Sequence, residues 1–262
     1  MKAALPALAA VLLLGAACHQ APRNPMAQWS PSPNFNARRP QMIIIHHTAC
    51  TTFDEALRIL KTENSGGPVS SHYLIGRDGK LAQLVSDDHR AWHAGGGGAW
   101  GASRDINSLS IGIELDNNGF EPFAQPQIDK LLALLDDLVR RYDIPRSQIL
   151  AHADVDPVRK HDPNASFPWK LLAEKGFGLW PDADLPEPPA GFDPWAALRI
   201  LGYSMKSPAA TLGAFHLHYR ATEAGELDAL DRRILFNLQS RQLGTAGLPH
   251  QDLGLPGDQV IR

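Results

Sequence analysis

Three residues with metal-binding side chains stand where strands are expected to end or where a loop can fold back. His46 closes an apolar run rich in β-branched residues, His152 follows a second apolar run, and Asp162 lies in the loop beyond it. Two neutral imidazoles and one carboxylate form a three-ligand zinc set that leaves a fourth position for water. Structural zinc sites are usually closed, so this set predicts a catalytic site.

Spacing alone leaves the ligand set open. His47 is adjacent to His46, and side chains alternate across a strand, so the two cannot readily bind one ion. His161 competes with Asp162 in the same way. A single histidine in a sheet is more often a hydrogen-bonded core residue than a ligand, so the positions at strand ends carry the prediction.

Two further charged residues suit hydrolytic chemistry. Glu114 lies in a mostly apolar strand, where burial of a charge is costly unless it has a partner or a function. Beside an activated water it could act as a general base, and the alternative is a strand-end glutamate that faces solvent. Lys160 could stabilise an oxyanion, or it could simply be a solvated loop lysine.

An alternation of strand and helix patterns must position these residues. Apolar runs predict strands, an Asp-Gly pair at positions 78–79 predicts a hairpin turn, and amphipathic spacing predicts helices. The expected strands are 42–46, 72–75, 81–85, 110–115 and 148–151, and the expected helices begin after Thr52, cover 126–142 and lie near Trp169. The pattern predicts an α/β domain, residues 41–180, with helices flanking a central mixed β-sheet.

The C-terminal part reads as a separate helical unit. Residues 181–191 are a proline-rich linker by composition, and residues 192–243 have the pattern of a small three-helix domain. About fifty residues are marginal for independent folding, so we expect this domain to lean on the larger one. Residues 244–262 form a C-terminal tail.

Composition excludes one large class of function. The 262 residues carry 25 Lys and Arg against 28 Asp and Glu, a formal net charge of −3. A phosphate-dominated nucleic-acid binder normally has a strong basic excess, so we expect no nucleic-acid partner.

The N-terminus predicts export. Residues 1–17 have the proportions of a signal peptide, and the small residues before Cys18 resemble a bacterial lipobox, with Gly15 where the pattern prefers Leu. Lipidation of Cys18 would anchor the chain to the outer membrane, on the side that faces the periplasm. Residues 18–40 would form the tether. Ordinary cleavage would instead leave a soluble periplasmic or secreted protein, and Cys18 would then be available for a disulfide with Cys50.

A resemblance to a known family rests on five runs of sequence, at positions 46–48, 71–75, 91–95, 110–115 and 152–163. In order and spacing these runs resemble the zinc-dependent N-acetylmuramoyl-L-alanine amidases, which share their fold with peptidoglycan recognition proteins. The resemblance covers roughly residues 40–180. It is strongest to a bacterial branch of outer-membrane lipoprotein amidases that carry an added C-terminal helical domain.

The resemblance implies a role for each candidate residue. It makes His46, His152 and Asp162 the ligands of one Zn²⁺ per chain, and it gives Glu114 and Lys160 the catalytic roles. The implied reaction is hydrolysis of the amide bond between N-acetylmuramic acid and L-alanine of the peptidoglycan stem peptide. The alternatives are a peptidoglycan-binding protein without turnover and a zinc amidase that acts on another cell-wall amide.

Loop and C-terminal residues complete the expectations. Trp92, His93 and Asn107 are candidates for the substrate groove, because loops at the rim of a sheet commonly carry recognition. The C-terminal helices resemble a peptidoglycan-binding domain that usually has glutamine where His216 stands. That difference places glycan binding in question, and a helical appendage that serves packing alone is the alternative.

Overall fold

The computed structural model describes residues 24–37, 40–222 and 225–244. The predicted signal peptide, Cys18 and most of the predicted C-terminal tail lie outside the described residues.

The described residues contain ten strands and eight α-helices. The strands are β1 (Gln28–Trp29), β2 (Asn36–Ala37), β3 (Met42–His47), β4 (Glu63–Asn64), β5 (Gly67–Pro68), β6 (Tyr73–Ile75), β7 (Leu81–Gln83), β8 (His89–Arg90), β9 (Ser110–Leu115) and β10 (Ile149–Ala151). The helices are α1 (Phe53–Leu60), α2 (Ile106–Leu109), α3 (Gln125–Tyr142), α4 (His152–Val155), α5 (Trp169–Glu174), α6 (Pro194–Leu201), α7 (Pro208–Arg220) and α8 (Ala229–Gln242).

Six strands form the central sheet, in the order β1-β7-β6-β9-β3-β10. Only β6 and β7 pair antiparallel, and every other neighbouring pair is parallel. The middle strands β3 and β9 are largely buried on both faces, which explains the continuous β-branched run of β3. The prediction of an α/β fold with a central mixed sheet is confirmed.

Local signals in the sequence account for the ends of several elements. Thr52 caps α1, since its hydroxyl accepts a hydrogen bond from the Glu55 backbone N–H at 3.2 Å. Gly79 adopts a φ of 83° in the turn between β6 and β7, a conformation that favours glycine. Pro126 stands in the first turn of α3, and one face of that helix is buried against the sheet.

Residues 24–37 lie within the predicted tether, and here the structure differs from that prediction. Gln28–Trp29 pairs in parallel with β7, and the backbone N–H of Ser32 donates to the Leu84 carbonyl oxygen at 2.7 Å. This part of the segment is therefore a folded edge of the sheet. A two-residue strand has no periodicity of its own, so only its distant partner strand could have indicated it.

The three C-terminal helices pack on the α/β domain and share its hydrophobic core. The Tyr203 ring stands edge-on against Trp100 with 4.9 Å between ring centroids, and the Gly101 N–H donates to the Gly202 carbonyl oxygen at 2.7 Å. His216 is only 3% exposed, and its Nε2 is paired with Asp231 at 2.9 Å inside the bundle. In the described part of the chain, no helix is long and apolar enough to cross a membrane.

Candidate metal centre and active site

Three neighbouring parallel strands bring the candidate residues to one edge of the sheet. His46 in β3 is in register with Glu114 in β9, so both side chains emerge on the same face. Ala151, the last residue of β10, pairs with Ile45, and His152 therefore follows directly beside His46 as α4 begins. The carboxyl ends of parallel strands meet at one edge, which explains how distant sequence positions converge.

The ligand atoms of His46, His152 and Asp162 form a compact triangle. His46 Nδ1 lies 2.9 Å from His152 Nδ1, and Asp162 Oδ2 lies 3.2 Å from the first and 3.0 Å from the second. A tetrahedral zinc ion with bonds of about 2.0–2.1 Å needs ligand atoms about 3.3 Å apart. The triangle is close to that spacing, so these three residues fit a metal ion.

The charges of this triangle suit a divalent cation. Burial, together with the nearby His152, lowers the pKa of His46 to about 4, so its imidazole is neutral at physiological pH. Burial acts to raise the pKa of Asp162, but the neighbouring imidazoles, His152 foremost, outweigh it and hold that pKa well below its usual range. A neutral imidazole and an ionised carboxylate are the forms that bind a metal ion.

Glu114 has the environment of a group that exchanges a proton. Its Oε2 is buried without a hydrogen-bond partner among the described residues. Burial, with the negative charge of Asp162 second, raises the pKa of Glu114 to about 8, while Lys160 acts in the opposite direction. A carboxyl group with a pKa near neutrality can both accept and return a proton at physiological pH.

A pocket of about 210 Å³ joins the predicted residues. Its lining includes His46, His152, Asp162, Glu114, Lys160, Trp92 and His93. The structure therefore brings together seven of the eight residues that the sequence proposed for the metal, catalytic and substrate sites.

Asn107 is the exception, and its place corrects the expectation that it lines the substrate groove. The side chain is 3% exposed and lies behind the loop that carries His93. Its Oδ1 accepts hydrogen bonds from the backbone N–H groups of His93 and Ala94 at 3.0 and 2.8 Å, and its Nδ2 donates to the Gly95 carbonyl at 3.2 Å. Asn107 thus holds the backbone of this loop.

The two alternatives left by spacing differ in their surroundings. His47 Nδ1 accepts a hydrogen bond from the Asn164 backbone N–H at 3.1 Å, away from the triangle. His161 is exposed at the surface. Cys50 is a free, buried thiol in the pocket wall, and its Sγ–H donates to the Thr48 carbonyl oxygen at 3.4 Å.

Comparison with known proteins gives the family. The family model described as N-acetylmuramoyl-L-alanine amidase matches residues 36–165. The chain is 37% identical over 229 residues to the N-acetylmuramoyl-L-alanine amidase AmiD of Escherichia coli (strain K12), an alignment that covers 75% of this chain and 81% of that protein. The chain belongs to the N-acetylmuramoyl-L-alanine amidase family. It is an enzyme, and the prediction of an amidase is confirmed over the non-catalytic alternative.

Solved structures of this amidase family extend the similarity to the fold. A complex of E. coli AmiD with the substrate anhydro-N-acetylmuramic acid-L-Ala-D-gamma-Glu-L-Lys matches with a TM-score of 0.68 and 34% identity, covering 78% of this chain and 90% of that chain. AmpDh3 from Pseudomonas aeruginosa matches with a TM-score of 0.69 and 27% identity, covering 84% of this chain and 98% of that chain. Both matches extend beyond the family model toward the C-terminal helices.

Sequence reasoning missed the part that Ser110 and Gly112 take in this site. With Glu114 they occupy one face of β9, because side chains two apart point the same way. The His93 ring lies against this face, where a Cβ atom on Gly112 would come within 2.4 Å of His93 Cγ. The alternation of two small residues and an acid was the available signal.

Proposed function

We propose that this chain hydrolyses the amide bond between the lactyl group of N-acetylmuramic acid and the L-alanine of a peptidoglycan stem peptide, using one zinc ion held by His46, His152 and Asp162. The observation that carries the proposal is the convergence of three ligand atoms beside the buried, unpartnered Glu114 oxygen in one pocket. The amidase relatives, one of them in complex with a muramyl peptide, support the substrate class.

Glu114 is the proton carrier of the proposed reaction. A zinc ion bound at this site would polarise the amide carbonyl and lower the pKa of a water molecule. Glu114 accepts a proton from the attacking water as the water oxygen adds to the carbonyl carbon. It then returns that proton to the alanine nitrogen as the carbon–nitrogen bond breaks.

Lys160 has the proposed role of stabilising charge on the carbonyl oxygen. Lys160 lines the pocket, and its positive charge lowers the pKa of Glu114. A fixed positive charge in a pocket with little water is worth more to a developing oxyanion than it would be in bulk solvent. Trp92 at the pocket wall is the proposed contact for the sugar or the peptide.

Product identification tests the reaction. Incubation of the protein with a defined anhydro-muramyl tripeptide and with intact peptidoglycan, followed by mass spectrometry, should give the free peptide with an L-alanine N-terminus and the free muramyl sugar. Chelation should stop the reaction and zinc should restore it. Cleavage at another amide bond would establish a different cell-wall amidase, and binding without products would contradict the proposed activity.

We also propose that the chain is exported and anchored in the outer membrane by a lipid on Cys18, where peptidoglycan is accessible. Support comes from residues 1–18 alone, with one lysine, an apolar run and small residues before the cysteine. Metabolic labelling with a fatty acid should mark the wild type and Cys50→Ser but not Cys18→Ser. Equal labelling of all three would show that Cys18 is not the lipidated residue, and no labelling with the wild type in the soluble fraction would favour a soluble exported protein.

A further inference from the structure

We infer that His93 is a positioning residue that fixes the tautomer and orientation of His46. Its importance for metal binding rests on the metal site proposed above. His93 lies on the loop that Asn107 holds, is 9% exposed, and contacts His46 on one side and Ser110 on the other. The donors and acceptors along this line of hydrogen bonds determine where each proton resides.

The direction is set at the far end, by a carbonyl group that can only accept. Ser110 Oγ lies 2.6 Å from the Ile106 carbonyl oxygen, so its single proton points there. The same Oγ lies 3.1 Å from His93 Nε2 and must therefore accept a hydrogen bond from it. His93 consequently carries its proton on Nε2.

The next hydrogen bond transfers this preference to His46. A neutral His93 with its proton on Nε2 has a lone pair on Nδ1, which lies 2.9 Å from His46 Nε2. His46 Nε2–H therefore donates to His93. The remaining ring nitrogen of His46, Nδ1, is left with its lone pair directed toward His152 and Asp162.

The consequence is a metal ligand that is prepared before any ion arrives. A histidine ligand whose second nitrogen donates to a fixed acceptor is held in one tautomer and one ring orientation, which strengthens metal binding. His152 lacks this support, because its Nε2 is buried without a hydrogen-bond partner among the described residues. Of these two histidines, only His46 is supported by a hydrogen bond at its second ring nitrogen. Loss of that hydrogen bond should therefore weaken metal binding measurably.

The His93 ring fits against β9 only because residue 112 is glycine. Gly112 in β9 lies under the ring, and an added Cβ would come within 2.4 to 2.7 Å of three ring atoms. Two hydrogen bonds from the neighbouring backbone N–H groups to Asn107 fix the loop from behind. The ring is thus confined by a strand on one side and by a clamped backbone on the other.

Nuclear magnetic resonance of the metal-free protein tests the proton positions directly. Long-range ¹H–¹⁵N correlation at neutral pH should find both His46 and His93 as Nε2–H tautomers. A proton on Nδ1 of His93 would reverse the hydrogen bond to His46 and overturn the inference. Because no metal is present, the result does not depend on whether zinc is the cofactor.

A matched pair of variants tests the effect on metal binding. In His93→Asn the side-chain oxygen occupies the place of Nδ1 and can still accept from His46, whereas Leu in His93→Leu has similar size and no acceptor. We expect the zinc Kd of His93→Leu to rise roughly 10- to 100-fold and that of His93→Asn to stay within a few fold of the wild type. Gly112→Ala should resemble His93→Leu.

Two outcomes of the zinc titration would overturn the inference. Wild-type affinity in His93→Leu would show that the hydrogen bond does not support His46, and equal weakening in both His93 variants would show that the ring serves packing alone. If the wild type binds no zinc, the proposed metal site fails while the tautomer measurement still decides the role of His93.

Discussion

Two buried groups of histidine and aspartate lie side by side in this molecule and differ in one respect. The metal cluster consists of His46, His152 and Asp162. The interdomain cluster consists of Asp154, two residues after His152, with Tyr203 and His218 from the C-terminal helices. Asp154 accepts hydrogen bonds from the Tyr203 hydroxyl and from His218 Nδ1, each at 2.7 Å. In the interdomain cluster the side chains pair with one another.

In the metal cluster, hydrogen-bond donors and acceptors do not match in this way. Its three ligand atoms face one another at 2.9 to 3.2 Å, and the carboxylate oxygen of Glu114 beside them has no partner among the described residues. The same residue types thus stabilise the fold where donors and acceptors match, and form a candidate binding site where acceptors converge on one point. Burial alone does not separate the two cases.

Loss of a ligand from the metal cluster should have the largest effect. Asp162→Ala removes the anionic ligand, so its zinc affinity should fall by more than the roughly 10- to 100-fold that loss of a supporting hydrogen bond costs, and hydrolysis should fall with it. Calorimetric zinc titration measures this change. Asp184→Ala, at an exposed linker position, should bind zinc like the wild type. Full zinc binding by Asp162→Ala would remove Asp162 from the site.

Glu114→Gln should separate chemistry from metal binding. The amide cannot accept the proton of the attacking water, so kcat/KM should fall roughly 10²- to 10⁴-fold while one zinc per chain remains bound. The exposed Glu174→Gln on α5 is the control and should keep full activity. An active Glu114→Gln enzyme would assign the proton transfer to another group.

His218→Ala should show the reverse behaviour. It breaks a buried pair with Asp154 and removes the ring stacked on Trp169, so we expect a loss of about 2–4 kcal/mol in the free energy of unfolding. Zinc content and kcat of the folded protein should change little. Denaturant unfolding is the measurement, with exposed His161→Ala as the control within about 0.5 kcal/mol of the wild type. A loss of zinc without a loss of stability would contradict the distinction between the clusters.

The pH dependence of the metal-free protein should show the smallest effect. Glu114 has a folded pKa of about 8 against an ordinary value of 4.5, so the folded state holds a proton that the unfolded state releases. The stability from that proton is fully present below about pH 4.5 and is lost as the pH rises through 8. The free energy of unfolding of the wild type should therefore decrease relative to that of Glu114→Gln over this window, by on the order of 2 kcal/mol after discounting for partial exposure. Parallel stability curves would show that Glu114 is not held protonated.

Sequence alone predicted the parts of the molecule that depend on local pattern. The β-branched run marked the strand that carries His46, a mostly apolar run marked the strand that carries Glu114, and the Asp-Gly pair marked the turn at Gly79. Convergence of His46 and His152 was predictable because strand ends meet at one edge of a sheet, and Asp162 was predicted to join them from a loop that can fold back.

Other features depend on partners far away in the chain. The strand Gln28–Trp29 exists only through its pairing with β7, in a segment whose composition favours a tether. The sequence predicted Asn107 as a loop residue at the substrate groove, and only the folded structure shows that it lies in α2 and hydrogen-bonds the backbone behind the pocket. His216 looks like a substituted binding residue, yet in the bundle it pairs with the buried Asp231.

The most direct measurement is a zinc titration of the metal-free protein in which bound metal and hydrolysis of a muramyl peptide are followed in the same sample. A single ion at the His46, His152 and Asp162 triangle predicts that activity rises in proportion to added zinc and stops rising at one ion per chain. Full hydrolysis by the metal-free protein, or saturation of the metal without any release of an L-alanine N-terminus, would contradict a zinc amidase.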